Sequence, residues 1–107
     1  MNFNYAVRQR DCQAELYIDR GQGSDDENLA IFRELESYRE TIETSFGEAL
    51  SWEALDSARA CRICIKVDGG YRNDVEEWDE IQDIVVAKMN RLVDAMRPVL
   101  EKLQTVR

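Results

Sequence analysis

Apolar residues recur at every second position in four short segments of the chain, and this alternation predicts four β-strands. The predicted strands cover 3–8, 12–19, 50–55 and 61–67. Turns at 9–11 and 56–58 join them in pairs, and glycine-containing turns at 21–23 and 69–70 end each pair. An acidic helix start follows each pair, so the pattern of strand, strand and helix occurs twice.

Two longer segments repeat apolar residues at helical spacing. The first helix is predicted from Asp25 to Phe46, with Ser24 and Glu27 as a capping box and Gly47 just beyond its end. Asn73 or Asp74 is predicted to cap the second helix. The apolar stripe of that helix comprises Val75, Trp78, Ile81, Val85, Met89, Leu92 and Met96.

Proline has no backbone N–H, so Pro98 is predicted to end or kink the second helix at Arg97. A last helical stretch over 99–106 would then begin at Pro98. The apolar stripe continues to Leu100 and Leu103, and its far end is expected to extend past the sheet and leave apolar surface for a dimer or a neighbouring domain.

Each predicted strand and helix has one apolar face to bury. The simplest arrangement is an α+β fold of two ββα units, forming one domain over residues 1–107. It has a four-stranded, mainly antiparallel sheet with two long helices packed on one face.

Composition narrows the possible chemistry. The chain has no His, which removes Ser-His and Cys-His nucleophiles and imidazole metal ligands. Its net charge of −8 argues against unspecific attraction to nucleic acid. Three cysteines without a signal peptide indicate reduced thiols in a cytoplasmic protein. No apolar run approaches the ~20 residues of a membrane span, so no membrane partner is expected.

Cys61 and Cys64 spell a C-x-x-C pair, but three residues apart in a strand they point to opposite faces. They are therefore predicted to pack rather than to share a metal or a disulfide. The carboxylates at 25–27, 74–77 and 79–80 coincide with predicted helix starts, where they stabilise the helix dipole. We accordingly predict no catalytic residue, no metal site and no cofactor, although a metal-dependent nuclease built from these carboxylates stays an alternative.

The polar face of the predicted sheet is the best candidate for binding. If Cys12, Leu16, Ile63 and Ile65 face the helices, the opposite face carries Asn4, Arg8, Glu15, Tyr17, Arg62, Cys64 and Lys66. Its candidate contact residues are Arg8, Tyr17, Arg62 and Lys66, a basic and aromatic set on an acidic molecule. The alternative is a solvated face with cross-strand Arg–Glu pairs. Trp52 and Trp78 are both predicted to point into the core.

Several segments resemble one family: Tyr17-Ile18-Asp19, Phe46-Gly47-Glu48-Ala49-Leu50-Ser51-Trp52-Glu53-Ala54-Leu55-Asp56, Arg59-Ala60-Cys61-Arg62-Ile63 and Trp78-Asp79-Glu80-Ile81. Together they resemble the domain-of-unknown-function family 4268 over nearly the whole chain. The resemblance implies a domain that is commonly the C-terminal part of larger prokaryotic proteins, some with a nuclease-like N-terminal part. It suggests an accessory role in DNA restriction or defence and supplies no catalytic residues.

The sequence thus favours a non-catalytic interaction domain that docks a partner protein or a neighbouring domain, or forms a homodimer. Its docking surface is expected to be the sheet face or the exposed end of the second helix. Two alternatives stay open: a nucleic-acid-binding domain that uses the same sheet face, and an acidic mimic of DNA.

Overall fold

The computed structural model describes residues 2–19, 25–54 and 60–106 and has an α+β fold. Four strands and three helices follow one another in the described residues. They are β1 (Asn2–Val7), β2 (Asp11–Ile18), α1 (Asp25–Glu36), α2 (Arg39–Phe46), β3 (Ser51–Ala54), β4 (Cys61–Asp68) and α3 (Val75–Val106). The turns predicted at 21–23 and 56–58, and Ser24 of the predicted capping box, lie outside the described residues.

The four strands form one sheet in the order β1-β2-β4-β3, and every neighbouring pair is antiparallel. The register places Leu16 opposite Phe3 on one side and opposite Ile63 on the other. Trp52 in turn lies opposite Ile63. Apolar residues of all four strands therefore share one face of the sheet, as the alternating pattern predicted.

All three helices contribute to a single core with this face. Cys12, Leu16 and Ile63 are buried there, and Ile65 packs at the margin. The helices supply further fully buried apolar side chains, which include Phe32, Leu35, Ile42, Phe46, Leu92 and Met96. Helix α1 contacts β2, β3 and β4, whereas α3 contacts β2 and β4 and packs along α2. The opposite face, which we call the open face, carries no helix of the described residues.

The first predicted helix is in fact two helices, so the prediction of two ββα units with two long helices is wrong in this detail. The Ser37 hydroxyl donates to the Glu34 carbonyl at 2.5 Å, and the Tyr38 amide turns to the Leu35 carbonyl at 3.0 Å. A serine hydroxyl that competes for a helix carbonyl disfavours continuation of the regular ladder. Helix α1 therefore ends at Glu36, and α2 begins at Arg39.

Helix α3 passes through Pro98 and runs for 32 residues. Of the two predicted outcomes, an end or a kink at Arg97, the end is therefore wrong. Proline in a helix forfeits one backbone hydrogen bond, here to the carbonyl of Asp94. Asp94 is exposed, so water can reach that side of the helix. On the other side Val99 and Leu103 are buried, and their packing offsets the lost bond.

Candidate functional site

The four predicted contact residues all lie on the open face. Tyr17 and Arg62 are direct register partners on β2 and β4. Lys66 lies opposite Gln13 in the same pair of strands, and the Arg8 guanidinium reaches that Gln13. The face therefore carries a pair of candidates at each end, as the strand alternation predicted.

Arg8 is held within the open face by its neighbours. Its Nε donates to Asp11 at 2.6 Å, and its Nη2 donates to Oε1 of Gln13 at 2.6 Å. Gln13 then donates to Glu15 at 2.7 Å, and both of these side chains are buried. Arg8 is thus part of a chain of hydrogen bonds along β2.

Arg62 is held in a second network around Glu53 on the neighbouring strand. Its Nε and Nη2 both lie 2.8 Å from Oε1 of Glu53, while Ser51 and Cys64 donate to the other carboxylate oxygen. Burial opposes the ionisation of Glu53, but these hydrogen bonds outweigh it and lower the pKa of Glu53 below its ordinary value. The hydrogen bond to Glu53 likewise raises the pKa of Arg62.

The two cysteines of the C-x-x-C pair lie on opposite faces of β4, which confirms the geometric prediction. Cys61 is in the helix-covered core, and Cys64 donates to Glu53 on the open face. Burial, and then the neighbouring Glu53 carboxylate, raise the pKa of Cys64 to about 11. Its thiol is therefore protonated at neutral pH and a poor nucleophile or metal ligand. Within the described residues no group of three metal-binding side chains is present.

The open face thus satisfies most of its own polar groups. Arg8 and Arg62 are already paired with carboxylates, and the arrangement matches the alternative of cross-strand Arg–Glu pairs. Lys66 is exposed and has no ion-pair partner among the residues that the structure describes. A new ligand on this face would compete with bonds that exist already.

A different surface presents apolar groups to solvent. The prediction that Trp78 lies in the core is wrong, because 39% of its surface is exposed. Val75, Ile84 and Val86 on the same half of α3 are exposed as well, as are Tyr5 and Val7 on β1. The sequence predicts exposed apolar surface at the C-terminal end of this helix, and that prediction is wrong. Leu103 near the C-terminal end is buried, and the exposed large apolar side chains of the described part of α3 lie in its N-terminal half.

Between β1 and this half of α3 runs an apolar groove with a cavity volume of about 240 Å³. One wall comes from the strands and the other from the helix, while the turn before α3 closes one end. Its lining residues are Val7, Cys12, Gly70, Tyr71, Trp78, Ile81, Gln82 and Val85. We call this surface the β1–α3 groove.

The turn between β4 and α3 positions the groove by docking on the β1–β2 hairpin. Three amides of this turn, those of Gly69, Tyr71 and Arg72, donate to the carbonyls of Arg10, Arg8 and Gln9 respectively. Gly70 approaches the hairpin so closely that a Cβ there would lie 2.0 Å from the Arg8 carbonyl oxygen. A glycine is therefore required at this contact.

The aromatic residues at the closed end of the groove are tied to the same turn. The Trp78 indole N–H donates to the Asn73 carbonyl at 3.0 Å, and the Asn73 side chain accepts from the Gly70 amide. The Asn73 amide group also donates to Glu77 in the first turn of α3. These bonds hold the Trp78 ring beside Tyr71, with its apolar surface facing solvent.

The charges along this half of α3 are almost all negative. Residues 71–86 contain six carboxylates and a single cation, Arg72. Lys88 and Arg91 contact Glu48 after α2, so they mark the side of α3 that faces α2. A helix turns about 100° per residue, which places Asp79 about 60° from the groove-lining Gln82, on the side of the stripe away from Lys88. The helix side of the groove rim is therefore acidic.

The length of the last helix relative to the strands is a sequence feature that indicates an overhang of α3 beyond the sheet. A helix of 32 residues is about 48 Å long, whereas the eight-residue strands β2 and β4 extend about 27 Å. The C-terminal limit of that helix was obscured by Pro98, and the alternation gave no information about which end would overlie the sheet. The groove could therefore not be located from the pattern alone.

The most characteristic segment of the resemblance has a structural role in this molecule. Gly47 takes the left-handed conformation that ends α2, and the Phe46 carbonyl accepts two bonds from Arg91. Oε2 of Glu43 accepts from the Leu50 amide and the Trp52 indole N–H. Trp52 packs against the core, with its ring 6.3 Å from Phe32, which confirms its inward prediction. This segment joins α2, β3 and α3.

Residues 1–100 match the family described as "Domain of unknown function (DUF4268)", which confirms the resemblance seen in the sequence. Neither the curated proteins nor the solved structures that were searched contain a match. Among the described residues, no helix combines the length and the apolar character needed to cross a membrane.

Proposed function

The chain belongs to the DUF4268 family, and we propose that it acts as a non-catalytic protein-interaction domain whose docking surface is the β1–α3 groove. The observation that carries this proposal is the exposed apolar wall of the groove. Trp78 and Tyr71 expose 39% and 54% of their surfaces there. Clustered, exposed aromatic residues are enriched where proteins bind one another.

The groove also has the rigidity that a docking surface needs. Backbone hydrogen bonds from residues 69–72 to the β1–β2 hairpin hold the closed end, and the Trp78 indole is fixed by the Asn73 carbonyl. Because this surface is already ordered before a partner binds, less conformational entropy is lost on binding. The absence of His from the chain and the protonated Cys64 thiol support the non-catalytic part of the proposal.

Docking through Arg8, Tyr17, Arg62 and Lys66 on the open face is the less favoured form of the proposal. Arg8 and Arg62 would first have to leave Asp11 and Glu53, which costs part of the binding energy. The same pairing weakens the case for nucleic acid on this face, because phosphate binding requires available cations. The resemblance adds the proposal that the partner belongs to a DNA-restriction or defence system.

Affinity capture with matched variants tests the proposal. The groove variant is Tyr71→Ser with Trp78→Ser, and the open-face variant is Arg62→Glu with Lys66→Glu. We expect the wild type and the open-face variant to capture the same protein from native extract, and the groove variant to lose it. The captured protein, once purified, must bind the isolated domain directly with the same dependence on the groove.

Circular dichroism controls for the fold of both variants, which change half-exposed or exposed side chains. If the groove variant still captures the protein and the open-face variant does not, the docking surface is the open face. Plasmid cleavage by the wild type in Mg²⁺ or Mn²⁺ would overturn the non-catalytic assignment.

A further inference from the structure

The outer edge of β1 presents unpaired backbone groups. The Arg8 amide donates to the Asp11 carbonyl across the β1–β2 turn, which identifies 8 and 11 as a hydrogen-bonded pair. Hydrogen-bonded and non-hydrogen-bonded pairs alternate along antiparallel strands. The N–H and C=O groups of Phe3, Tyr5 and Val7 therefore point away from β2, and no described residue pairs with them.

This edge lacks the features that usually prevent strand pairing. Residues 2–7 contain no charged side chain and no proline, and the pairing with β2 is continuous from Asn2 to Val7. The opposite edge strand, β3, has four residues and carries Glu53. Long, uncharged edges readily accept another strand, whereas short or charged ones do not.

The open edge and the β1–α3 groove are adjacent. Val7 belongs to both, because its side chain lines the groove and its backbone faces outward. Side chains of a strand alternate between the two faces, so a strand added to β1 would place every second residue beside Tyr5 and Val7. Those residues would also lie over the apolar wall at Trp78.

The charges favour a cationic occupant. Asp79 lies about 60° around α3 from the groove-lining Gln82, and the exposed rings of Tyr71 and Trp78 can accept a cation over their faces. A second copy of the chain would instead bring two such acidic rims together on molecules that each carry a net charge of −8. Like charges at an interface oppose association.

We propose that β1 is a strand-addition site for an extended cationic segment of a partner protein, with alternate apolar side chains of that segment in the β1–α3 groove. This inference rests on the proposed function and specifies the chemistry of its partner. Main-chain hydrogen bonds to Phe3, Tyr5 and Val7 supply affinity, and the groove with its acidic rim selects the side chains.

The test uses a labelled peptide of about ten residues in which Val and Arg share every second position, so that both face the groove, and Thr fills the remaining positions. Fluorescence anisotropy is the readout. One control peptide carries Glu in place of Arg. A second is N-methylated at alternate amides, which removes the strand-forming donors on one edge and keeps the side chains. We expect binding by the first peptide and at least a tenfold loss with either control.

Two charge-reversal variants of equal size locate the contact. Asp79→Lys changes the carboxylate that lies about 60° around the helix from the groove-lining Gln82, whereas Glu80→Lys changes one that lies about 160° away from it. We expect the first variant to weaken peptide binding about tenfold and the second to change it less than about threefold. Hydrogen exchange should slow at the outward amides of Tyr5 and Val7 when the peptide binds.

Each other outcome overturns the inference. Equal binding of the N-methylated peptide, or no protection in β1, excludes strand addition. Protection of β1 that rises with protein concentration alone assigns the edge to a second copy, and binding of a single-stranded oligonucleotide in place of the peptide assigns the site to nucleic acid. The peptide test could also fail while the wild type still captures a protein through the groove. That result would refute strand addition and leave the proposed function intact.

Discussion

The two ends of the apolar stripe of α3 have different surroundings. In the C-terminal half, Leu92, Met96 and Val99 are buried. In the N-terminal half the stripe is only partly covered, because Val75 and Trp78 are exposed whereas Val85 and Met89 are buried. A helical stripe therefore marks surface that needs an apolar neighbour, but the described residues supply a complete neighbour only beyond the first turns of this helix.

The anchoring contacts differ in the same way. The middle of α3 is tied to α2 through Arg91, which donates twice to the Phe46 carbonyl and lies 4.6 Å from the centre of the Phe46 ring. The N-terminal half is tied through the turn at 69–73, which docks on the β1–β2 hairpin. One half of the helix is held by side-chain packing, and the other by backbone contacts at its base.

The largest contrast is expected between a leucine and a valine of the same helix. Leu92→Ala removes a fully buried side chain and should lower the free energy of unfolding by about 2–5 kcal/mol. Val86→Ala, at a position 45% exposed, should change it by less than about 0.5 kcal/mol. Urea denaturation measures both. Similar losses at the two positions would mean that the N-terminal half is covered in solution.

A smaller effect is expected from Gly70→Ala at the base of the exposed half. The new methyl group would collide with the backbone of residues 8–10, so the hairpin must shift, at a cost of about 1–3 kcal/mol. Thermal unfolding gives the stability change, and hydrogen exchange should accelerate in the amides of 69–72 first. Gly47→Ala is the comparison, since its cost comes from the left-handed backbone at φ 97° and should leave exchange at 69–72 unchanged. Unchanged exchange at 69–72 would contradict the anchoring role of this turn.

The smallest effect concerns a carboxylate on α2, beside the buried half. Burial opposes ionisation of Glu43, but bonds from the Leu50 amide, Trp52 and Arg39 outweigh it and lower the pKa of Glu43 below 4.5. Because this pKa is lower in the folded state, the stability that Glu43 contributes is complete above about pH 4.5 and is lost as pH falls through the folded value.

Glu43→Gln should therefore cost about 1 kcal/mol at pH 7 and flatten the loss of stability between about pH 5 and 3. Urea denaturation at a series of pH values measures this, with Glu40→Gln, an exposed position one turn earlier, as the matched control. An identical acid profile in wild type and Glu43→Gln would refute the assignment.

Local periodicity was sufficient to predict the strands and their faces. The alternation around Leu16 and Ile63 placed both on the helix side, and the same alternation placed Cys61 and Cys64 on opposite faces. These predictions are confirmed because a strand offers only two side-chain directions, and an apolar face can be buried on one side alone. The positions of Arg8, Tyr17, Arg62 and Lys66 on the open face follow from the same rule, whereas their role in binding stays a prediction.

The errors concern features that depend on contacts between distant segments. The break at Ser37 is the exception, because it coincides with a local bond from the Ser37 hydroxyl to the Glu34 carbonyl. Continuation of α3 through Pro98 accompanies the burial of Val99 and Leu103. Trp78 occupies a core-like position of its stripe, but the described residues leave 39% of its surface exposed. The groove was missed because it combines β1 with residues some 70 positions later in the chain.

By itself the sequence determined the strands, the apolar helical segments, an acidic molecule without histidine and the family to which the chain belongs. The tertiary structure decided which half of α3 is core, which edge of the sheet is open and which cations of the open face are already paired. The physical reason is that periodicity records which side of an element avoids water, whereas burial depends on whether another part of the chain reaches that side.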